Sequence, residues 1–227
     1  MEAARRHLQE LHRLIGLQTG DEKHAASATS ALDVLYVLYE HVLRFDPVEP
    51  AWELRDRFLL SKGHGPMAFY AVLARQGFFP EAELERFLAW DGILGGHPDR
   101  LRVPGVEVST GSLGHGLPMA LGVAYALRAK RLTDQRVFVL TGDAELNEGT
   151  NWEAILHAGS RRLDNLTLIV VDNGSGTLQL GSLEAKLRPF GWDAETVGGR
   201  DHAALARSLR RRGSSPTAVV ADLRVAT

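Results

Sequence analysis

Apolar positions along the chain fall into two periodicities, and they alternate. Residues 3–18 place Leu8, Leu11, Leu14 and Ile15 at helical spacing, which predicts an amphipathic surface helix. A small, polar stretch, "TGDEKHAASATS", predicts a loop. Helical spacing returns in "ALDVLYVLYEHVLRF" and stops before Asp46-Pro47. "RFLLS" (57–61) is a short buried-strand candidate, and "GHGPMAFYAVLARQG" a helix ending on Gly77. "PEAELERFLAW" carries proline at a first-turn position, followed by helix formers, and predicts another helix. The stretch from Asp91 to Gly116, rich in Gly, Pro and His, predicts a functional loop, and Leu117 to Arg131 a buried helix.

The strongest signals are "RVFVLTG" and "LTLIVVDN". These continuous apolar runs are what strands of a parallel sheet covered on both faces require. A helix from about Asn147 to Arg162 lies between them, which makes a βαβ unit. A weaker alternation follows: helix 182–189, strand 193–198, helix 201–211 and strand 216–222. The expected fold class is α/β, a three-layer α/β/α arrangement with a mostly parallel sheet, forming one domain over residues 1–227.

Composition narrows the function classes. Hydrophobic residues make up 44% of the chain and charged residues 24%, which is ordinary for a soluble protein. A formal net charge of -2 provides no basic field for nucleic acid. With no cysteine, thiolate metal sites, disulfides and a cysteine nucleophile are excluded. No apolar run approaches the roughly 20 residues that span a bilayer, and the N-terminus lacks the apolar core of a signal peptide. The expectation is a cytoplasmic enzyme or binding protein without membrane or nucleic-acid partners.

Candidate chemistry lies beyond the carboxyl ends of the two strong strands, where ligands bind in such sheets. Asp143 follows "VFVLTG" and Asn173 follows "LTLIVVD". If these strands are neighbours, a carboxylate and an amide oxygen project from one sheet edge. That pair, with waters and phosphate oxygens, suits Mg²⁺ or Ca²⁺. Each residue alone reads equally as a helix cap or a turn former. Four of the nine histidines, His24, His64, His97 and His115, sit in loops rich in glycine or alanine. Imidazoles in such open settings can donate to phosphate or hydroxyl oxygens, or move protons near neutral pH. His7, His12, His41, His157 and His202 receive no role. Gly111, Gly114 and Gly116 in "STGSLGHG" allow close backbone approach just before a helix start, but their spacing does not match a dinucleotide fingerprint.

From about His24 to Val197, these motifs resemble the thiamine-diphosphate domain of transketolases, the PP domain, and in particular the N-terminal subunit of split transketolases. "RDRFLLSKGH", "GGHPDR", "PGVEVSTGSLGHG" and "LDNLTLIVVDN" follow that family in order, and "GDAELNEG" with Asn173 is similar to its GDG…N signature. The resemblance implies thiamine diphosphate with Mg²⁺ or Ca²⁺, and transfer of a two-carbon ketol unit from a ketose or ketose phosphate to an aldose.

It also implies residue roles. Asp143 and Asn173 hold the metal, with the carbonyl of Ser175 as third ligand. His64, Gly142, Ala144, Glu145 and His115 stand at the cofactor, and Gly111 and Leu113 pack on its aminopyrimidine. His24, His64 and His97 touch sugar hydroxyls, and Glu148 reaches its symmetry mate across a subunit interface. The pyrimidine-binding and C-terminal domains, and the Glu that protonates the aminopyrimidine, are expected on a partner chain, in an α₂β₂ assembly. Ala144 replaces the middle glycine of GDG, and Lys23 with "HAASATS" replaces the usual "GHPGGSLS". "GSGTLQLG" shortens the loop after Asn173, and a "VKGKG" stretch with further diphosphate contacts is missing. These departures point to a specialised enzyme. The competing readings are a 1-deoxyxylulose-phosphate-synthase-like or acyloin-forming enzyme, and a non-catalytic protein that retains the fold.

Overall fold

The computed structural model describes residues 2–19 and 29–224, so Lys23 and His24 lie outside the described residues. Five strands form one sheet: β1 (Arg57–Leu60), β2 (Val137–Gly142), β3 (Leu166–Asp172), β4 (Asp193–Gly198) and β5 (Thr217–Asp222). Their spatial order is β1-β2-β3-β5-β4, and every pairing is parallel. Val137 aligns with Leu166 and Gly142 with Val171, so the two strongest strands are neighbours in register.

Apolar residues on both sides of each central strand explain the continuous runs. Phe138, Leu140, Ile169, Val171, Val219 and Ala221 face one core. Val137, Val139, Leu168, Val170, Ala218 and Val220 face the other. Helices α1 (Glu2–Leu17), α2 (Leu32–His41), α3 (Met67–Arg75) and α7 (His202–Arg210) contribute to the first core. The second is covered by α4 (Gly116–Ala129), α5 (Gly149–Ser160) and α6 (Leu183–Leu187). The helical spacing of α1 is realised as burial of Leu11 and Leu14. Asp201 caps α7 by accepting from the Ala204 N–H at 2.9 Å.

Three expected helices differ from their sequence reading. α2 ends at His41 rather than reaching Phe45, because buried Asp56 takes the Arg44 amide at 3.1 Å and its guanidinium at 2.9 Å. The segment after Pro80 forms a 3₁₀ helix, Glu81–Arg86, and not a longer α-helix. There Phe87 turns extended, and Leu88 at φ 62 donates back to the Leu94 carbonyl at 2.9 Å. The helix expected from Asn147 begins at Gly149, after a 3₁₀ turn over Ala144–Asn147.

Candidate functional site at the carboxyl edge of the sheet

The parallel register brings the ends of β1, β2, β3 and β5 to one edge, which fixes where their next residues go. Asp143, the first residue after β2, keeps its N–H on the Val171 carbonyl of β3 at 3.1 Å. Its buried carboxylate accepts from the Ser175 hydroxyl and from the Gly176 N–H, each at 2.9 Å. Asn173, following β3, accepts the Ser175 N–H on Oδ1 at 3.2 Å and so forms an Asx turn. Asp143, Asn173 and Ser175 therefore share one hydrogen-bonded unit, all three carrying the oxygen donors that hard cations take. Among the described residues, no group of three or more His, Asp or Glu is arranged to hold a metal.

A cavity of about 310 Å³ opens beside this unit, lined by Asp143, Asp172, Gly174, Gly176, Asp222 and Arg224 among others. Asn173 faces a separate cleft, lined by Ser30, Asp33 and Arg200 as well. Burial raises the Asp172 carboxyl above its ordinary value, with Asp143 and Asp222 adding to the rise, while the Gly174 N–H and Arg224 oppose it.

Sequence reasoning gave Lys62 no role. It follows β1 and is 9% exposed, with its ammonium on the Ser30 hydroxyl at 2.7 Å. Burial pushes its pKa down to about 8 against the pull of Asp143 and Glu145. Lys62 stands within the quoted "SKGH", but nothing local signals that a lysine there is buried. Arg224 was also missed, because its relevance depends on folding back over β3 and β5.

Glu145 lies in the 3₁₀ turn after Asp143, 1% exposed. One oxygen accepts from the Ser61 hydroxyl and from the Gly114 N–H at 2.9 Å, while Oε2 has no hydrogen-bond partner. Burial holds this carboxyl above its ordinary value; Ser61, Gly114, Gly142 and Lys62 oppose the rise. Glu145 thus joins the end of β1, the glycine loop and the turn after β2. Ala144 is not among the non-glycine residues with positive φ, which are Leu88, Arg131 and Arg162. Alanine is therefore accommodated there without strain.

The glycine loop carries the remaining candidates. The rings of His64 and His97 meet edge to face with centroids 5.0 Å apart. Gly111 has φ 146, and a Cβ there would fall 2.7 Å from the His97 ring. Gly114 has φ 85, and a Cβ there would fall 2.6 Å from Glu148 Cβ. The glycines thus allow the loop to lie against His97 and Glu148. Leu113 is half-buried, and its carbonyl lies 3.2 Å from Nδ1 of the exposed His115, just before α4. Glu148 is exposed and precedes α5. The histidines left without a role include structural ones: His157 bonds the Tyr125 hydroxyl at 2.8 Å, and His202 bonds Asp33 at 2.7 Å.

Comparison with known proteins gives a concordant result. Residues 11–218 match the family described as "Transketolase, thiamine diphosphate binding domain". "Ferredoxin fas2" of Rhodococcoides fascians is 47% identical over 216 residues, 94% of this chain and 71% of that protein. One of the two components of the apulose-4-phosphate transketolase of Actinobacillus succinogenes is 37% identical over 211 residues, 88% of this chain and 75% of that protein. Among solved structures, the transketolase of Leishmania mexicana superposes with a TM-score of 0.75 at 26% identity, covering 90% of this chain. The match spans 37% of that longer chain. An α/β fold of parallel strands, its sheet edge lined by "GDAELNEG" and Asn173, and a family match over most of its length place this chain in the transketolase family, in its thiamine-diphosphate-binding domain.

Proposed function

We propose that this chain binds thiamine diphosphate with Mg²⁺ or Ca²⁺ and, with a partner subunit, moves a two-carbon ketol unit from a ketose or its phosphate to an aldose. The observation carrying the reading is the Asp143–Ser175–Asn173 unit at the ends of two neighbouring parallel strands, beside a cavity bordered by loop backbone. Its donors fit a hard cation: a carboxylate, an amide oxygen and nearby carbonyls. They are engaged with loop groups, so metal entry exchanges the Ser175 and Gly176 hydrogen bonds for coordination.

When bound, thiamine diphosphate supplies the electron sink that lets the ketose C2–C3 bond break. The chain's own residues bind and orient. Asp143, Asn173 and the Ser175 carbonyl hold the cation. The backbone at Gly142 and Ala144, with His64, His115 and Glu145, serves the cofactor's diphosphate end, and Gly111 with Leu113 its ring. His24, His64 and His97 hold or move protons at the sugar hydroxyls. Glu148, exposed beside the glycine loop, is suited to reach across a subunit interface.

The pyrimidine-binding domain is supplied by a second polypeptide in an α₂β₂ assembly. A relative named as a component of an apulose-4-phosphate transketolase supports both the divided architecture and a specialised sugar phosphate. The name of the ferredoxin relative carries no weight for this chain, whose 227 residues contain no cysteine to hold an iron–sulfur cluster. Among the described residues, no helix is long and apolar enough to cross a membrane.

The test is to mix the chain with thiamine diphosphate and Mg²⁺, with and without a candidate partner, and follow ketose-phosphate cleavage with an aldehyde acceptor. Turnover only in the mixture is the expected result. Turnover by the chain alone would overturn the two-component reading.

A further inference from the structure

Three neighbouring strands deliver carboxylates to one edge of the sheet: Asp143 after β2, Asp172 at the end of β3 and Asp222 at the end of β5. Asp172 and Asp222 are register partners, side by side. Like charges at strand spacing repel unless a cation lies among them. Arg224, two residues beyond Asp222, answers that need. Its Nε and Nη2 donate to the two Asp222 oxygens at 3.0 Å each, and Nη2 also donates to Asp172 at 2.8 Å.

Three features suggest that this arginine does more than staple two strands. Its side chain is 56% exposed, so half of the guanidinium faces the opening. Among the described residues, Nη1 donates no hydrogen bond, which leaves two of the five N–H groups of the fork for an incoming oxygen. The stem runs beside Gly174, where an added Cβ would lie 3.4 Å from Arg224 Cδ, and the residue borders the same cavity as Asp143 and Gly176.

We propose that Arg224 is a diphosphate-binding residue of this cavity: its guanidinium neutralises Asp172 and Asp222 and presents its free edge to an outer oxygen of the cofactor's diphosphate. This rests on the thiamine-diphosphate reading above. The physical need is plain. A diphosphate drawn to a cation at Asp143 enters a cavity whose wall also holds two other carboxylates. Without Arg224 those would repel it; with Arg224, the wall offers a planar fork suited to phosphate oxygens. Arg224 thereby takes the part of the diphosphate contacts that the absent "VKGKG" stretch was expected to remove.

The experiment measures thiamine-diphosphate affinity at fixed Mg²⁺, by titration calorimetry on the full chain, alone and with its partner. Four proteins are compared: wild type, Arg224→Gln, Arg224→Lys and Asp222→Asn. Arg224→Gln should weaken binding about tenfold or more, the scale of one charge-assisted hydrogen bond, with Arg224→Lys intermediate. Asp222→Asn should bind as tightly as wild type or tighter, because it releases the guanidinium and removes a repelling charge. If Arg224→Gln and Asp222→Asn weaken binding alike, Arg224 is only a strand staple and the proposal is overturned. Unchanged affinity in Arg224→Gln overturns it equally. Failure of the wild type to bind thiamine diphosphate in either setting would instead overturn the reading on which it rests, and the proposal with it.

Discussion

Gly114 donates its backbone N–H to Glu145 Oε1 over 2.9 Å, and this bond ties the glycine loop before α4 to the turn that follows β2. Thirty-one residues of chain separate the two partners, yet Glu145 is 1% exposed and its other oxygen has no hydrogen-bond partner. The site is thus assembled around a buried carboxylate with an open valence.

The first prediction concerns that carboxylate. Burial raises the Glu145 carboxyl above its ordinary value of 4.5. A raised folded value means that its contribution to stability is present below the ordinary value and lost as pH rises through the folded one. Glu145→Gln removes this titration and keeps an oxygen for Gly114. The variant should gain on the wild type as pH rises from about 4 to about 7. Urea unfolding midpoints across that window check it; a constant difference would refute the assignment. Glu145→Ala, by contrast, leaves the Gly114 N–H unpaired and should cost about 1–3 kcal/mol.

Lys62 supplies the opposite case. Its pKa is lowered from 10.5 to about 8, chiefly by burial. A depressed lysine contributes fully above the unfolded value, and that contribution is lost as pH falls through the folded one. The wild-type chain should therefore lose stability between pH 10.5 and about 8, and Lys62→Met should flatten that limb. Thermal melts at several pH values in this interval decide it.

Asp143 organises the loop after β3 even before any cation arrives. Asp143→Ala removes the acceptor of both Ser175 and Gly176, so residues 174–181 should exchange amide hydrogens faster while β2 and β3 remain protected. The lost bonds correspond to about 1 kcal/mol each. Thiamine-diphosphate binding should be abolished in the same variant. Unchanged exchange in the loop would show that these bonds do not hold it.

Gly114 has φ 85, and a Cβ there would fall 2.6 Å from Glu148 Cβ. Gly114→Ala meets both a backbone that L side chains rarely adopt and a collision with a neighbouring segment. The expected loss is about 1–3 kcal/mol. Calorimetric melting measures it, and a variant melting with the wild type would contradict the loop geometry. Ala144→Gly has no strain to relieve and should lower stability by about 0.5–1 kcal/mol through unfolded-state entropy.

Much of the architecture was legible because it is local. Continuous apolar runs such as "LTLIVVD" require burial on both faces, and that alone implies a parallel sheet between helical layers, with Asp143 and Asn173 at its carboxyl edge. The motifs around His64, Gly111 and Asp143 were visible for the same reason. The early end of α2 was not, since it depends on Asp56 capturing Arg44 from twelve residues away. Nor was the 3₁₀ form of Glu81–Arg86, which is set where Leu88 bonds back to Leu94. The burial of Lys62, the bond between Gly114 and Glu145, and the return of Arg224 over Asp172 were decided by the tertiary structure alone. Each joins segments that only the sheet's register brings together. A residue's periodicity records which face it must bury, and carries no trace of which distant charge will stand beside it.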